Sequence, residues 1–397
     1  MSAVSFLVIF FITPPFIKYL NKKGKVVVDY HKPGKPNVPR PAGPVLLIGI
    51  AISEIILYFL IQDTKIISVV LSTIIAFIIG YIDDRKTMPG WFKPVALIFA
   101  AVPIIVLGSH GNSLGLIFDS AFIPILYIPL ILAIMPIVGN TINSIDVFNG
   151  VASGFIIITM IPLLVSVILF SNITVFLMGL PLLFGTIAIY QYHKYPSRIF
   201  LGDSGTLLLG SMYAGLSIAG NSEIIGVIAL LPAVMNSFLF LASVKKIVEH
   251  RQVKIRPVSI SEDFRLVASK ERSAPATIVR LILARGPLSE QEIITKILIL
   301  ATFSSVLAFI SIVIQYFFMR LFDLFMLIFI MWIMIMIVSY FLIFIIGPLH
   351  IEIFHNSSDR LITSLIKASS AIGLVVVLIL LLGMLKTKYL QKILLRK

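Results

Sequence analysis

The chain predicts an all-α polytopic membrane protein: a core of about ten transmembrane helices with about two more at the C-terminus. Three observations predict it. Hydrophobic residues make up 59% of the 397 positions and charged residues only 13%, against roughly 45–50% and about 25% in soluble domains. The apolar residues run on without alternation, which asks for helices, because a helix satisfies its backbone groups internally. Basic residues fall in the gaps between these runs. With the N-terminus outside, 25 of the 32 Lys and Arg lie in inward-facing segments, as the positive-inside rule requires. The net charge of +14 is therefore read first as topology, and nucleic acid is not an expected partner. The absence of cysteine excludes disulfides and thiolate metal sites.

The first run, 2–20, lacks a basic n-region and a small-residue cleavage site, so it reads as an uncleaved span. Further spans are expected at 43–61, 66–82, 94–108, 122–139, 154–170, 173–191, 204–220 and 224–244. Three more follow at 296–318, 322–346 and 365–385. Twelve crossings leave the five basic residues from Lys386 to Lys397 outside. Either the charge bias is overridden there, or one of the last two runs does not cross fully. The longest polar segment, 245–295, is basic, and 276–285 reads as a helix lying on the membrane surface. His350, His355 and Asp359, between the last two runs, read as a polar connector rather than a metal site.

Polar chemistry concentrates on the inward side. The third run ends in Gly80-Tyr-Ile-Asp83-Asp84-Arg85-Lys86. Two adjacent carboxylates at a membrane edge repel each other and need a cation or a ligand group for balance; solvated loop aspartates are the plainer alternative. Lys93 opens the next run, placed to meet a phosphate or simply to snorkel. The fifth run passes into Asn140-Thr-Ile-Asn143-Ser-Ile-Asp146-Val-Phe-Asn149-Gly150, with no Lys or Arg. Steps of three form a slowly rotating band on a helix. Amides with one carboxylate suit a hard cation or the hydrogen-bonding edge of a base, whereas Asn packing between helices is the alternative.

Farther on, Arg198-Ile-Phe-Leu-Gly202-Asp203-Ser204-Gly205 puts Asp203 where an apolar helix begins. Helix N-terminal amides favour anions, and a carboxylate beside an anion site makes sense where a divalent cation bridges the two; an ordinary N-cap is the simpler reading. The loop opening Lys245-Lys246 continues through His250, Arg251, Lys254 and Arg256, and serves either phosphate ligands or anionic lipid head groups. Glu54, inside the second run, is a functional hypothesis by default, its alternative being a protonated acid bonded to a neighbouring helix.

In this order and on these loops, Gly80 to Asp84, Asn140 to Gly150 and Arg198 to Asp203 resemble the polyprenyl-phosphate N-acetylhexosamine-1-phosphate transferase family. The resemblance covers roughly residues 1–320, and Ile278 to Pro287 is similar to its eukaryotic and archaeal dolichyl-phosphate members. It divides the chain into a membrane-embedded transferase core, 1–320, containing the cytoplasmic loop 245–295, and a C-terminal transmembrane extension, 321–397. It implies transfer of N-acetylglucosamine 1-phosphate from UDP-GlcNAc to polyprenyl or dolichyl phosphate, releasing UMP, as the first step of lipid-linked oligosaccharide assembly for N-glycosylation. By similarity Asn143 and Asp203 hold magnesium, with manganese as a substitute. Asp83 and Asp84 engage the lipid phosphate or assist its deprotonation, Lys93 meets a phosphate, and Asn149 reads the uracil. Asn140 and Asp146 belong to the substrate-binding segment, as do His250, Arg251 and Arg256 in the basic loop, where an Arg/His-type motif replaces the histidine-rich one of the bacterial lipid I enzyme.

The site is then expected at the cytoplasmic face of the cell membrane, where a soluble nucleotide sugar and a head-group phosphate can meet. The bilayer and both substrates are its partners, and a homodimer is compatible with the family. Two other functions are kept open. One is the same reaction with another UDP-N-acetylhexosamine for cell-envelope polymers; the other is a twelve-span secondary transporter, which would place ionisable groups near mid-bilayer in two matching halves.

Overall fold

Helix covers all twelve apolar runs, and polar residues or proline set the ends. The computed structural model describes residues 1–117, 120–245, 253, 255–349 and 357–394. It separates into two compact units, Met1–Val313 and Ile314–Lys397. In the first unit the helices are α1 (Ser2–Lys22), α2 (Gly43–Ile61), α3 (Thr64–Arg85), α4 (Phe92–Val106), α5 (Pro124–Ile145), α6 (Val151–Phe170), α7 (Ile173–His193), α8 (Gly202–Ala219), α9 (Glu223–Ala229), α10 (Leu231–Val244) and α11 (Ile278–Leu283). The long helix α12 (Glu290–Tyr340) belongs to both units, and a π-helix (Phe341–Ile346) and α13 (Ser357–Leu394) complete the second. The described strands form three antiparallel hairpins: β1 (Val26–Val28) with β2 (Asn37–Pro39), β3 (Ser113–Gly115) with β4 (Ser120–Phe122), and β5 (Val258–Ile260) with β6 (Leu266–Ala268). Among the described residues, nine helices are long and apolar enough to cross a membrane, or ten with one bent pair counted as a span. The chain is a multi-pass, all-α membrane protein.

Helix α8 is the centre of the first unit: every residue from Gly202 to Ala219 is buried. It packs against α3 and α5 most extensively, and also against α2, α6, α7 and α9. Lipid offers no hydrophobic drive between helices, so close packing of small residues has to hold them. Gly80 on α3 shows how tight this is, since a Cβ there would run into the backbone of Asp203 and Ser204. That approach brings the acidic end of α3 against the start of α8.

Three expectations are revised. The run 224–244 is not one straight span: α9 and α10 meet at 73°. Pro232 at the start of α10 lacks an N–H and would clash with the carbonyl four residues back. That carbonyl, on Ile228, instead accepts a hydrogen bond from Ser304 on α12. The run 322–346 is not α-helical throughout: α12 ends at Tyr340 and Phe341–Ile346 form a π-helix. Finally, 276–285 does not form an interfacial helix. α11 is six residues long, and Ile278, Val279 and Leu283 are buried. Arg280 donates to the carbonyls of Ser269 and Glu271, at 3.0 and 2.7 Å.

Candidate active site

The ends of α3, α5 and α7 and the beginnings of α2, α4, α6 and α8 meet at one end of the bundle. Asp84, on the last turn of α3, faces the first turn of α8. Its Oδ1 accepts from the Asp203 N–H at 2.9 Å, and its Oδ2 accepts from the Ser204 N–H at 2.9 Å and hydroxyl at 2.6 Å. A carboxylate supplied by another helix thus satisfies the orphan amides at the α8 N-terminus and complements its dipole. Gly202 makes this approach feasible: its φ is +74°, and a Cβ there would lie 2.9 Å from both Asp84 oxygens.

The α8 start then aims Asp203 into a charge cluster. Lys93 Nζ lies 2.9 Å from Asp203 Oδ1 and 2.9 Å from Asp83 Oδ2. Asp83 Oδ1 accepts from the Met88 N–H at 2.8 Å. Across the cluster, Arg40 Nη2 is 2.6 Å from Asp203 Oδ2 and 3.0 Å from Asp84 Oδ1. Arg40 comes from the Pro-rich segment before α2, which is stitched to the approach to α8. The Phe200 N–H donates to Pro39 O and the Ala42 N–H to Phe200 O, each at 2.9 Å. Burial works against the Arg40 charge, but Asp203, Asp84, Asp146 and Asp83 outweigh it and raise its pKa. Asp146, just beyond α5, completes the group. Burial, opposed by Arg40 and reinforced by Asp203, pushes its carboxyl up to about 7. Its Oδ1 is buried without a hydrogen-bond partner among the described residues.

Four carboxylates therefore face two cations, an excess of negative charge in a nearly dry place. Such a donor set fits a hard divalent cation. Asn143 lies close by, its Oδ1 accepting from Thr206 at 2.8 Å, one turn of α8 beyond Asp203.

Residues 66–221 match the model of glycosyl transferase family 4; they carry Asp83, Asp84, Lys93, Asn143, Asp146 and Asp203. A phospho-N-acetylmuramoyl-pentapeptide-transferase of Dictyoglomus thermophilum is 31% identical over 244 residues, which is 57% of this chain and 75% of that protein. The chain belongs to glycosyl transferase family 4. Two further relatives match over different lengths. A candidate UDP-N-acetylglucosamine–dolichyl-phosphate N-acetylglucosaminephosphotransferase of Saccharolobus solfataricus is 27% identical over 326 residues, 79% of this chain and 95% of that one. A candidate undecaprenyl-phosphate N-acetylglucosaminyl 1-phosphate transferase of Bacillus subtilis is 24% identical over 220 residues, 55% of this chain and 61% of that one.

Within this family 4 chain, the remaining predicted residues divide. Asn140 donates from Nδ2 to Pro136 O in its own helix at 2.8 Å and does not reach the cluster by any described bond. Asn149 anchors a second group next to the first. Its Oδ1 accepts from the Ser197 N–H at 2.7 Å and Lys32 Nζ at 2.6 Å; its Nδ2 donates to Glu290 Oε1 at 2.6 Å and Asp29 Oδ2 at 3.2 Å. All four bonding positions of the amide are filled from within the protein, so Asn149 ties four segments together. Lys32 also bonds Asp29 and lies over the Tyr195 ring, 4.8 Å from its centre. Burial raises the Asp29 carboxyl, but the bonds from Lys32 and Asn149 prevail and hold it below the ordinary range. Arg256 is exposed in the loop before β5, and no described bond or ion pair joins it to either group. His250 and Arg251 lie outside the described residues, as do His350, His355 and the Asp359 side chain. Glu54 is fully buried, and neither of its oxygens has a hydrogen-bond partner among the described residues.

Sequence reasoning missed Arg40, Lys32, Asp29 and Glu290. Arg40 and Lys32 counted only towards topology, though the four prolines at 33, 36, 39 and 41 marked a rigid segment able to deliver them. Glu290 showed no signal beyond an acid at the start of a span. The ionisable groups crowd one end of the bundle, which does not match the mid-bilayer arrangement of a transporter.

Proposed function

We propose that the chain transfers N-acetylglucosamine 1-phosphate from UDP-GlcNAc to a polyprenyl or dolichyl phosphate at the cytoplasmic membrane face, within N-glycosylation. The observation that carries this is the Asp83, Asp84, Asp146 and Asp203 cluster, with Lys93 and Arg40 set into it at one end of a membrane bundle. A phosphoryl transfer needs positioned charge more than a protein nucleophile. An oxygen of the lipid phosphate would bond to the sugar-bearing phosphorus as the bond from that phosphorus to the bridging oxygen breaks, with UMP leaving.

Asp203 and Asn143 are the residues that would hold magnesium, which when bound supplies charge neutralisation on the diphosphate. Lys93 and Arg40 each already share Asp203 with a second carboxylate, so each can turn a charge to an incoming phosphate. Asp83, held by Lys93 and the Met88 N–H, would engage the lipid phosphate or assist its deprotonation. Asp84 keeps the α8 N-terminus in place beneath them. The name of the Saccharolobus relative and the Ile278 to Pro287 stretch support the sugar and lipid assignments; residues 314–397 carry none of the proposed machinery.

The test is UMP release by the purified full chain in lipid nanodiscs. Release is expected from UDP-GlcNAc only with both polyprenyl phosphate and magnesium. Release from UDP-N-acetylmuramoyl-pentapeptide instead would reassign the donor, and none from a panel of UDP-sugars would remove the enzymatic reading.

A further inference from the structure

Among the described residues two oxygens of the carboxylate cluster are buried without a hydrogen-bond partner, Asp83 Oδ2 and Asp146 Oδ1; Lys93 pairs with the first, and what faces the second is a buried histidine. His193, the last residue of α7, is 1% exposed. Its Nδ1 lies 2.8 Å from the Ser153 hydroxyl on the first turn of α6, and its Nε2 lies 3.6 Å from Asp146 Oδ1. Ser153 has one other described contact, a long 3.4 Å bond to Gly150 O.

A neutral imidazole has one donor and one acceptor nitrogen. When ionised, the Asp146 carboxylate offers only acceptors, so the N–H facing it belongs on Nε2; Nδ1 then accepts from the serine. The chain runs from Ser153 O–H to His193 Nδ1, and from His193 Nε2–H towards Asp146. At 3.6 Å the last link is a charge–dipole contact short of a hydrogen bond, and such contacts in a site without substrate tighten when it fills. Three elements converge here, because Ser153 sits on α6, His193 on α7 and Asp146 after α5. The other charged groups acting on Asp146 are Arg40, Asp203 and Asp84.

We infer that His193, oriented by Ser153, is a positioning residue that fixes the Asp146 carboxylate within the site. The imidazole N–H faces Asp146 Oδ1 from 3.6 Å, which keeps the carboxylate at a set distance from Arg40 and Asp203. This inference rests on the proposed transferase reading for its effect on turnover, and on geometry alone for the histidine tautomer.

The two parts are tested separately with the full chain in nanodiscs. Solid-state 15N spectra of histidine-labelled protein at pH 8.5, where Asp146 is ionised, with His193 assigned through His193→Gln, are expected to show the Nε2–H tautomer. The His193 resonances should shift in Asp146→Asn and in Ser153→Ala. An Nδ1–H tautomer, or resonances unmoved by Asp146→Asn, overturns the inference whatever the enzyme does.

In turnover, His193→Phe is expected to lower kcat roughly 10-fold, the scale seen when an outer partner of a site ligand is lost, with little change in KM for the nucleotide sugar. His193→Gln, which can return an N–H near the Nε2 position, should recover most of it. In an Asp146→Asn background His193→Phe should cost almost nothing more, because the pair acts as a unit. An equal loss in both backgrounds would mean that the imidazole serves packing only, and would overturn the inference. A wild-type chain inactive towards every donor would sink the transferase reading, while the spectra would still decide the tautomer and its link to Asp146.

Discussion

Replacing Asp84 by alanine is expected to destabilise the first unit more than any other single change in the carboxylate cluster. Asp84 accepts three hydrogen bonds from the first residues of α8 and pairs with Arg40, and its side chain is only 2% exposed. Hydrogen bonds to a charged group contribute about 1.5–3 kcal/mol each, and orphaned buried donors cost about 1–3 kcal/mol. The Ser204 hydroxyl can rotate to another acceptor, but the two N–H groups cannot, since they belong to a buried helix terminus. Counting those two bonds and discounting for shared partners gives about 4 kcal/mol. At roughly 2–4 °C per kcal/mol for a unit of this size, the unfolding midpoint should fall by about 8–16 °C. Asp84→Asn keeps one acceptor oxygen but turns an NH2 towards a backbone N–H, so its loss should be intermediate. The measurement is thermal unfolding in nanodiscs, followed by tryptophan emission or circular dichroism without substrate. A midpoint within about 2 °C of wild type for Asp84→Ala would refute the view that this carboxylate caps α8.

Other outcomes follow from neighbouring groups. Gly80→Ala forces a methyl group against the Asp203 and Ser204 backbone, which should cost about 1–3 kcal/mol; an unchanged midpoint would deny the close approach of α3 and α8. Asp146 has a raised carboxyl, so the folded state favours its protonated form. The stability this contributes is complete below its ordinary value of 3.8 and is lost as pH rises through about 7, on the order of a few kcal/mol at about 1.4 per pKa unit. The difference in midpoint between wild type and Asp146→Asn should therefore drift in favour of the variant from pH 4 to pH 7; a flat difference would contradict it. Asp203→Ala should abolish UMP release under saturating magnesium, and activity near wild type would take Asp203 out of the site. Asn149→Ala strips partners from Lys32, Glu290 and the Ser197 N–H and should lower the midpoint even in chain without nucleotide; if only the KM for the UDP-sugar moved, base reading and not structural tying would be its role.

Much of the site was legible because membrane chemistry makes polar residues conspicuous. Asp83, Asp84, Lys93 and Asp203 stood at the ends of apolar runs, and they do converge. Asn140 illustrates the limit of spacing arguments: it shares the three-residue rhythm with Asn143, yet bonds its own helix, because a step of three drifts around the axis. Asn149 stood out for the right reason and finds unexpected company. A buried amide needs four partners, and those came from loops and helices that no local pattern connects.

Hydropathy and charge placement alone determined that this is a helical multi-pass protein, where its helices run, and which segments hold its chemistry. Those properties are local, since each run meets lipid or water on its own account. Only the tertiary structure decided that Arg40 lies over Asp203, 163 residues away, that Asp84 caps a helix from another span, and that His193 faces Asp146. Such contacts depend on how closely helices approach and which faces they turn to one another. In a membrane that is settled by small residues, backbone breaks and polar satisfaction between distant segments.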